Sequence, residues 1–192
     1  MNSYIPRLRL LPVSLPKPDE LIALADRLNW TFYEERTGKS SEETIWSLGD
    51  GFSVARWMAD RVVNLAYLQF EGPLASKTAQ AVRSQIAAVD EADVAEKFSE
   101  ATDDETRMLL LRMAAVVTSY EVFQPDIFAM FQKSMHDTNP AVREMAAFVA
   151  IYPGWREFEP LLEVLTHDAD EGVRETASRA LHALRTMRWS AA

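Results

Sequence analysis

Two histidine–aspartate pairs, His136-Asp137 and His167-Asp168, recur 31 residues apart and are the first side chains in this sequence with the makings of a reactive site. Imidazoles beside carboxylates hold a transition metal when several such pairs converge. At a helix C-terminus the same pair does something plainer. Histidine suits the negative end of the helix dipole, and aspartate caps the helix that follows. The spacing favours this second role, so no metal site is expected. The carboxylates Glu34-Glu35 and Glu42-Glu43 raise the question of glycosidic hydrolysis, which needs two acids at a set separation with one pKa raised. They flank the polar stretch Thr37-Gly38-Lys39-Ser40-Ser41 and read as the solvated rim of a loop. Thr37-Gly38-Lys39-Ser40 has residue types that close a phosphate-binding loop, but the preceding glycine spacing is missing and a strand follows. No Gly-x-Ser-x-Gly elbow occurs, and cysteine is absent, which removes thiol catalysis, disulfides and iron–sulfur clusters. No catalytic residue and no cofactor are assigned.

The elements that carry these residues fall into two regions, 1–72 and 73–192. The chain has 192 residues, 48% hydrophobic and 26% charged, as expected of a globular protein of one domain or two small ones. In the first region apolar residues alternate. Leu8 and Leu10 between Arg7 and Arg9 predict a strand, which Pro6 and Pro12 would place at a sheet edge. Pro18-Asp19-Glu20 starts a helix predicted over 18–29. Strands are expected from Trp30 to Glu35 and from Glu43 to Leu48. Asp50-Gly51 is a hairpin signal leading into Phe52 to Ala55, where Trp46 and Trp57 suggest a cross-strand aromatic pair. The run from Val62 to Phe70 is apolar enough for a central strand covered on both faces, and Gly72-Pro73 ends it.

After Pro73 the apolar period becomes helical, with helices expected over 74–88, 92–101 and 104–119. A repeat then emerges. Asp137-Thr138-Asn139-Pro140-Ala141-Val142-Arg143, followed by Ala146-Ala147, aligns without gaps on Asp168-Ala169-Asp170-Glu171-Gly172-Val173-Arg174, followed by Ala177-Ser178. A looser copy begins at Thr102, and the segment Tyr120–Pro125 breaks the repeat length. Each unit predicts two antiparallel helices, with Asn139 or Asp170 capping one and the Val-Arg arginine reaching the turn carboxylate of a neighbouring unit.

This pattern resembles a HEAT repeat of the short kind also named after phycobiliprotein lyases. The likeness is clearest over 102–186, and the layout is similar to bacterial HEAT-repeat domain proteins of unknown function. The expected fold is α+β: the alternation in residues 1–72 gives a small N-terminal antiparallel sheet with one helix, and the resemblance implies a short HEAT-like α-solenoid after it, which the sheet domain is expected to cap. HEAT-like proteins include a di-iron hydroxylase with His-Glu pairs just after the Val-Arg. Glu144-Met145 and Glu175-Thr176 stand there in this chain, so the resemblance implies no iron site.

Charge decides among the partners. The formal net charge is −9, and residues 73–192 carry 12 basic against 19 acidic residues. That balance disfavours a phosphate backbone, and the small basic cluster Arg179, Arg185 and Arg188 equally counters the last helix dipole. The expected function is a non-enzymatic protein–protein binding module or adaptor, of which an inhibitor or immunity-type protein is one form, with a basic protein as partner. Helices over 126–136 and 156–167 are expected to line the binding face, with Asp126, Gln132, Lys133, Glu157, Glu159 and Glu163 as contact residues. The alternative is a chromophore lyase-type factor for phycobiliproteins. A homodimer through the sheet domain is a further expectation. The run Leu8-Arg9-Leu10-Leu11-Pro12-Val13 is too interrupted for a signal peptide, so a cytoplasmic protein with no membrane span is expected.

Overall fold

The computed structural model describes residues 7–118 and 122–186. The chain divides into two compact units, Met1–Asp90 and Glu91–Ala192. The first is an antiparallel sheet with two helices and the second is built of helices, so the fold is α+β. Among the described residues no helix is long and apolar enough to cross a membrane.

Strands β1 (Arg7–Pro12), β2 (Thr31–Thr37), β3 (Ser41–Ser47), β4 (Val54–Asp60), β5 (Leu65–Glu71) and β6 (Ala88–Val89) lie in the order β2-β3-β4-β5-β1-β6. Asp50-Gly51 turns β3 into β4. The Asp50 carboxylate accepts the amides of Phe52 and Ser53, at 2.9 and 2.6 Å, and the Ser53 hydroxyl at 2.6 Å. That hydroxyl also accepts the Leu74 amide at 3.0 Å, tying the hairpin to the start of α2 (Ala75–Arg83). Gly72 sits between them at φ +102°, where a Cβ would lie 2.6 Å from Ser53 Oγ and 2.8 Å from the Phe52 carbonyl.

Strand register sorts the side chains. Leu8 and Leu10, Trp46, Ala55 and Trp57, and Leu68 and Phe70 share one face. Against that face pack α1 (Pro18–Arg27) and α2, through Leu21, Leu24 and Ala25 and through Ala75, Ala79 and Val82. Trp46 lies opposite Ala55, so its aromatic neighbour is Trp30 at 6.0 Å and not Trp57. Trp57 joins the same core from one step along β4.

Three expectations need correction. β1 is not the outermost strand, because β6 pairs with it at Leu11 and Pro12. The helix expected over 74–88 ends at Arg83, after which the chain returns to the sheet as β6. The boundary expected after residue 72 accordingly falls after Asp90, because the small-residue face of α2 is part of the sheet's core. β5 is central, but its second face is polar. There Arg56 lies between Glu43 (3.1 Å) and Glu71 (3.5 Å), Gln69 donates to Glu71, and Arg9 Nε donates to Gln69.

The second unit contains α3 (Glu91–Glu100), α4 (Asp104–Val117), α5 (Pro125–Met135), α6 (Pro140–Val149), α7 (Glu159–Leu165, led by a 3-10 turn Arg156–Phe158) and α8 (Glu171–Thr186). The 31-residue offset is kept in space. α6 and α8 start at Pro140 and Glu171, and α5 and the 3-10 turn start at Pro125 and Arg156. Helices α4, α6 and α8 pack in series, as do α3, α5 and α7, and the first series is the closer. Alanines Ala146, Ala147 and Ala177 are fully buried in it, since a side chain of one carbon lets helix axes approach. At the end of the series the position of Ala147 is taken by Ser178, which is exposed.

Candidate interaction surface

The charges of the helical unit divide into those used internally and those left for solvent. At the turns Arg143 and Arg107 bridge successive hairpins. Arg143 donates to Asp168 through Nε (2.8 Å) and Nη2 (2.7 Å), while its Nη1 reaches the Asp137 and Thr138 carbonyls of its own turn. Arg107 reaches Asp137 at 2.6 Å, and Arg174 bonds the Asp168 and Ala169 carbonyls of its own turn. Such two-pronged, charge-assisted bonds hold both partners ionised. The Arg143 guanidinium pulls Asp168 below the ordinary carboxylate range, and Asp168 raises Arg143. Asn139 accepts the Ala141 amide and Asp170 the Val173 amide, so both caps expected from the repeat are present.

The histidines follow their helix ends. His136 Nδ1 lies 2.8 Å from the Gln132 carbonyl, and His167 Nδ1 3.3 Å from that of Glu163, each four residues back. The adjoining aspartates are taken by Arg107 and Arg143. Among the described residues no group of three or more His, Asp or Glu side chains is placed to hold a metal ion. In the sheet unit Glu34 pairs with Arg36, Glu42 with Arg61 and Glu43 with Arg56.

The six expected contact residues lie on α5, the 3-10 turn and α7, but they do not converge. Asp126, Gln132, Lys133, Glu157 and Glu163 are exposed and Glu159 is half-buried. Lys133 leans toward α3, with its ammonium 5.9 Å from the Phe98 ring centroid. Glu159 and Glu163 turn the other way, toward Arg185 of α8 at 3.4 and 3.5 Å. Arg179 pairs with Glu175, so the basic cluster expected at this end is spent on neighbouring acids, and Arg188 lies outside the described residues. Asp126 and Glu157, 31 residues apart, remain exposed and have no ion pair among the described residues.

The helix expected over 92–101 is present as α3, but its carboxylates are not among the expected contact residues. Residues 91–105 carry seven carboxylates against the single lysine Lys97, a signal legible in composition alone. Glu96, Glu100 and Glu105 are exposed and, among the described residues, form no ion pair. Asp103 caps α4 by accepting the Thr106 amide at 2.8 Å, and that hydrogen bond lowers its pKa. A second feature has no signature in the repeat, because its residues come from α5, the 3-10 turn and the segments leading into them. Phe123, Phe128, Phe131, Trp155 and Phe158 form an aromatic nest with ring centroids 4.9–5.7 Å apart.

No family model, no curated protein and no solved structure matches the chain.

Proposed function

We propose that the protein is a non-enzymatic binding module whose HEAT-like helical unit presents an acidic surface to a basic protein. One contrast carries the reading. The turn carboxylates Asp137 and Asp168 are consumed by arginine rungs, whereas Glu96, Glu100, Glu105, Asp126 and Glu157 stand exposed, with no ion pair among the described residues, on the α3–α5–α7 side and its flank. Carboxylates that stabilise nothing internal carry a Coulomb field available to a partner. That field speeds encounter with a cationic surface and repels a phosphate backbone. Lack of cysteine agrees with a reducing cytoplasm as the working compartment.

The full chain, used as bait in lysate of its own cells, should retain a basic protein at stoichiometric level in about 50 mM salt and release it near 0.5 M. A bait with Glu96, Asp126 and Glu157 each changed to lysine should lose that protein while keeping its circular dichroism. Identical capture by both baits would refute the acidic-surface reading.

A further inference from the structure

We propose that the groove between α3 and α4 receives an apolar side chain from a basic segment of the partner protein. This rests on the acidic-surface reading above and adds where the partner is anchored and by what chemistry. The groove has a volume of about 500 Å³, room for one large side chain or two smaller ones. Its floor is Leu109, Leu110 and Met113, and Glu100 and Asp103 stand on its rim with Lys97.

Three observations select the occupant. Leu109 is 39% exposed, although Met145 and Thr176, which take its place in the later hairpins, are half-buried. An apolar side chain left open beside further apolar floor gains from being covered. The rim sets two carboxylates, Glu100 and Asp103, against the single ammonium of Lys97, and among the described residues neither carboxylate has an ion pair. In the next, smaller groove, of about 320 Å³, Asp137 and Asp168 are bound by Arg107 and Arg143. Ala101 stands where those aspartates stand in the later turns, so the first turn lacks the carboxylate that takes a rung, while Glu100 on the rim and Glu105 in the first turn of α4 are exposed to a cation from outside. The third is the hydrogen bond to the Thr106 amide, which keeps Asp103 ionised and fixed at the mouth. A lysine- or arginine-bearing segment with one leucine, methionine or phenylalanine meets both demands. A purely apolar segment would leave the rim carboxylates desolvated, and a purely basic one would leave Leu109 in water.

The test uses a displayed library of random 16-residue peptides, selected on the full chain at about 50 mM salt, with affinities measured by fluorescence anisotropy. Enriched peptides should combine lysine or arginine with one large apolar residue. Leu109→Asp and the double variant Glu100→Lys/Glu105→Lys should each weaken binding at least tenfold. Leu109→Ala, which leaves the helix undisturbed, should weaken it about fivefold. Asp126→Lys/Glu157→Lys, away from the groove, should cost no more than threefold. Asp103 is left unchanged because it caps α4. Basic peptides weakened by every charge variant but indifferent to both Leu109 variants would overturn the anchor and leave the acidic surface standing. Enrichment of peptides indifferent to all variants, or no enrichment, would overturn both.

Discussion

The molecule contains two networks of half-buried arginine and carboxylate, one on the second face of the sheet and one along the helical turns. In the sheet, Arg56 lies between Glu43 and Glu71 at 3.1 and 3.5 Å, and its buried Nε has no hydrogen-bond partner. In the turns, Arg143 uses all three nitrogens, two on Asp168 and one on carbonyls of its own turn. Arg107 is intermediate: it reaches Asp137 and Asp104, but its Nε is buried without a partner. The difference is between a point charge and a fork. Any cation between two strands serves the first, whereas the second needs a planar guanidinium at a set distance from a backbone turn. Cross-strand register places the sheet network, and a repeated heptapeptide places the rungs.

The largest predicted effect tests whether the sheet unit is as tightly specified in its backbone as the helical unit is in its rungs. Gly72→Ala puts a methyl 2.7 Å from Ser53 Cα at a φ that side chains rarely adopt. It should cost about 3 kcal/mol, and hydrogen exchange should rise in β4, β5 and α2 while α6 and α8 keep their protection. Uniform loss of protection through both units would show that they unfold together, and the comparison would lose its basis.

A matched pair of conservative changes sharpens the contrast between fork and point charge. Arg143→Lys should cost about 2 kcal/mol, because one ammonium cannot satisfy Asp168 and two carbonyls at once. Arg56→Lys should cost under about 0.5 kcal/mol, since the ammonium still sits between Glu43 and Glu71 and the unpaired Nε is removed. Urea titrations of both variants, followed by exchange in each unit, give the two numbers. Equal costs would mean that the fork geometry contributes nothing.

That contrast also explains what the sequence made legible. The rungs, the caps at Asn139 and Asp170 and the helix starts at Pro125, Pro140 and Glu171 could be read because each recurs at a fixed offset. Asp50-Gly51 could be read because the pair carries turn chemistry of its own, although the loop that holds it runs over four residues, Gly49 to Phe52. The polar face of β5 could not, because Tyr67 and Gln69 acquire Arg9, Arg56 and Glu43 as neighbours only once four strands are in register. The return of Ala88-Val89 to β1 was hidden for the same reason: two residues have no periodicity, and the helical stripe before them runs on in sequence. The acidic surface was half legible. Asp126 and Glu157 were found through the repeat, but α3 lies where the repeat is loosest, and its carboxylates were not weighed. The pairing of Glu159 and Glu163 with Arg185 depends on how α7 meets α8, which no single-helix pattern encodes.

The smallest effect is read in acid. Asp168 is held below the ordinary carboxylate value of about 3.9 by Arg143, so its folded form binds a proton less readily than its unfolded form. Its contribution to stability is therefore complete above about pH 4 and fades as pH falls through the depressed folded value. Arg143 is shifted upward and stays charged throughout, so the rung adds no slope on the alkaline side. Asp50 and Asp103 are also lowered, and both units lose stability in acid for reasons of their own. Comparison with Asp168→Asn isolates the rung. The amide keeps one acceptor for the guanidinium and should cost about 1 kcal/mol at pH 7. Between pH 4 and 2.5 the urea midpoint of the variant should fall less steeply than that of the parent, and the two should approach each other. Parallel curves down to pH 2.5 would show that the Arg143–Asp168 fork contributes no pH-dependent stability, and the turn ladder would then be as indifferent to its geometry as the Arg56 cluster.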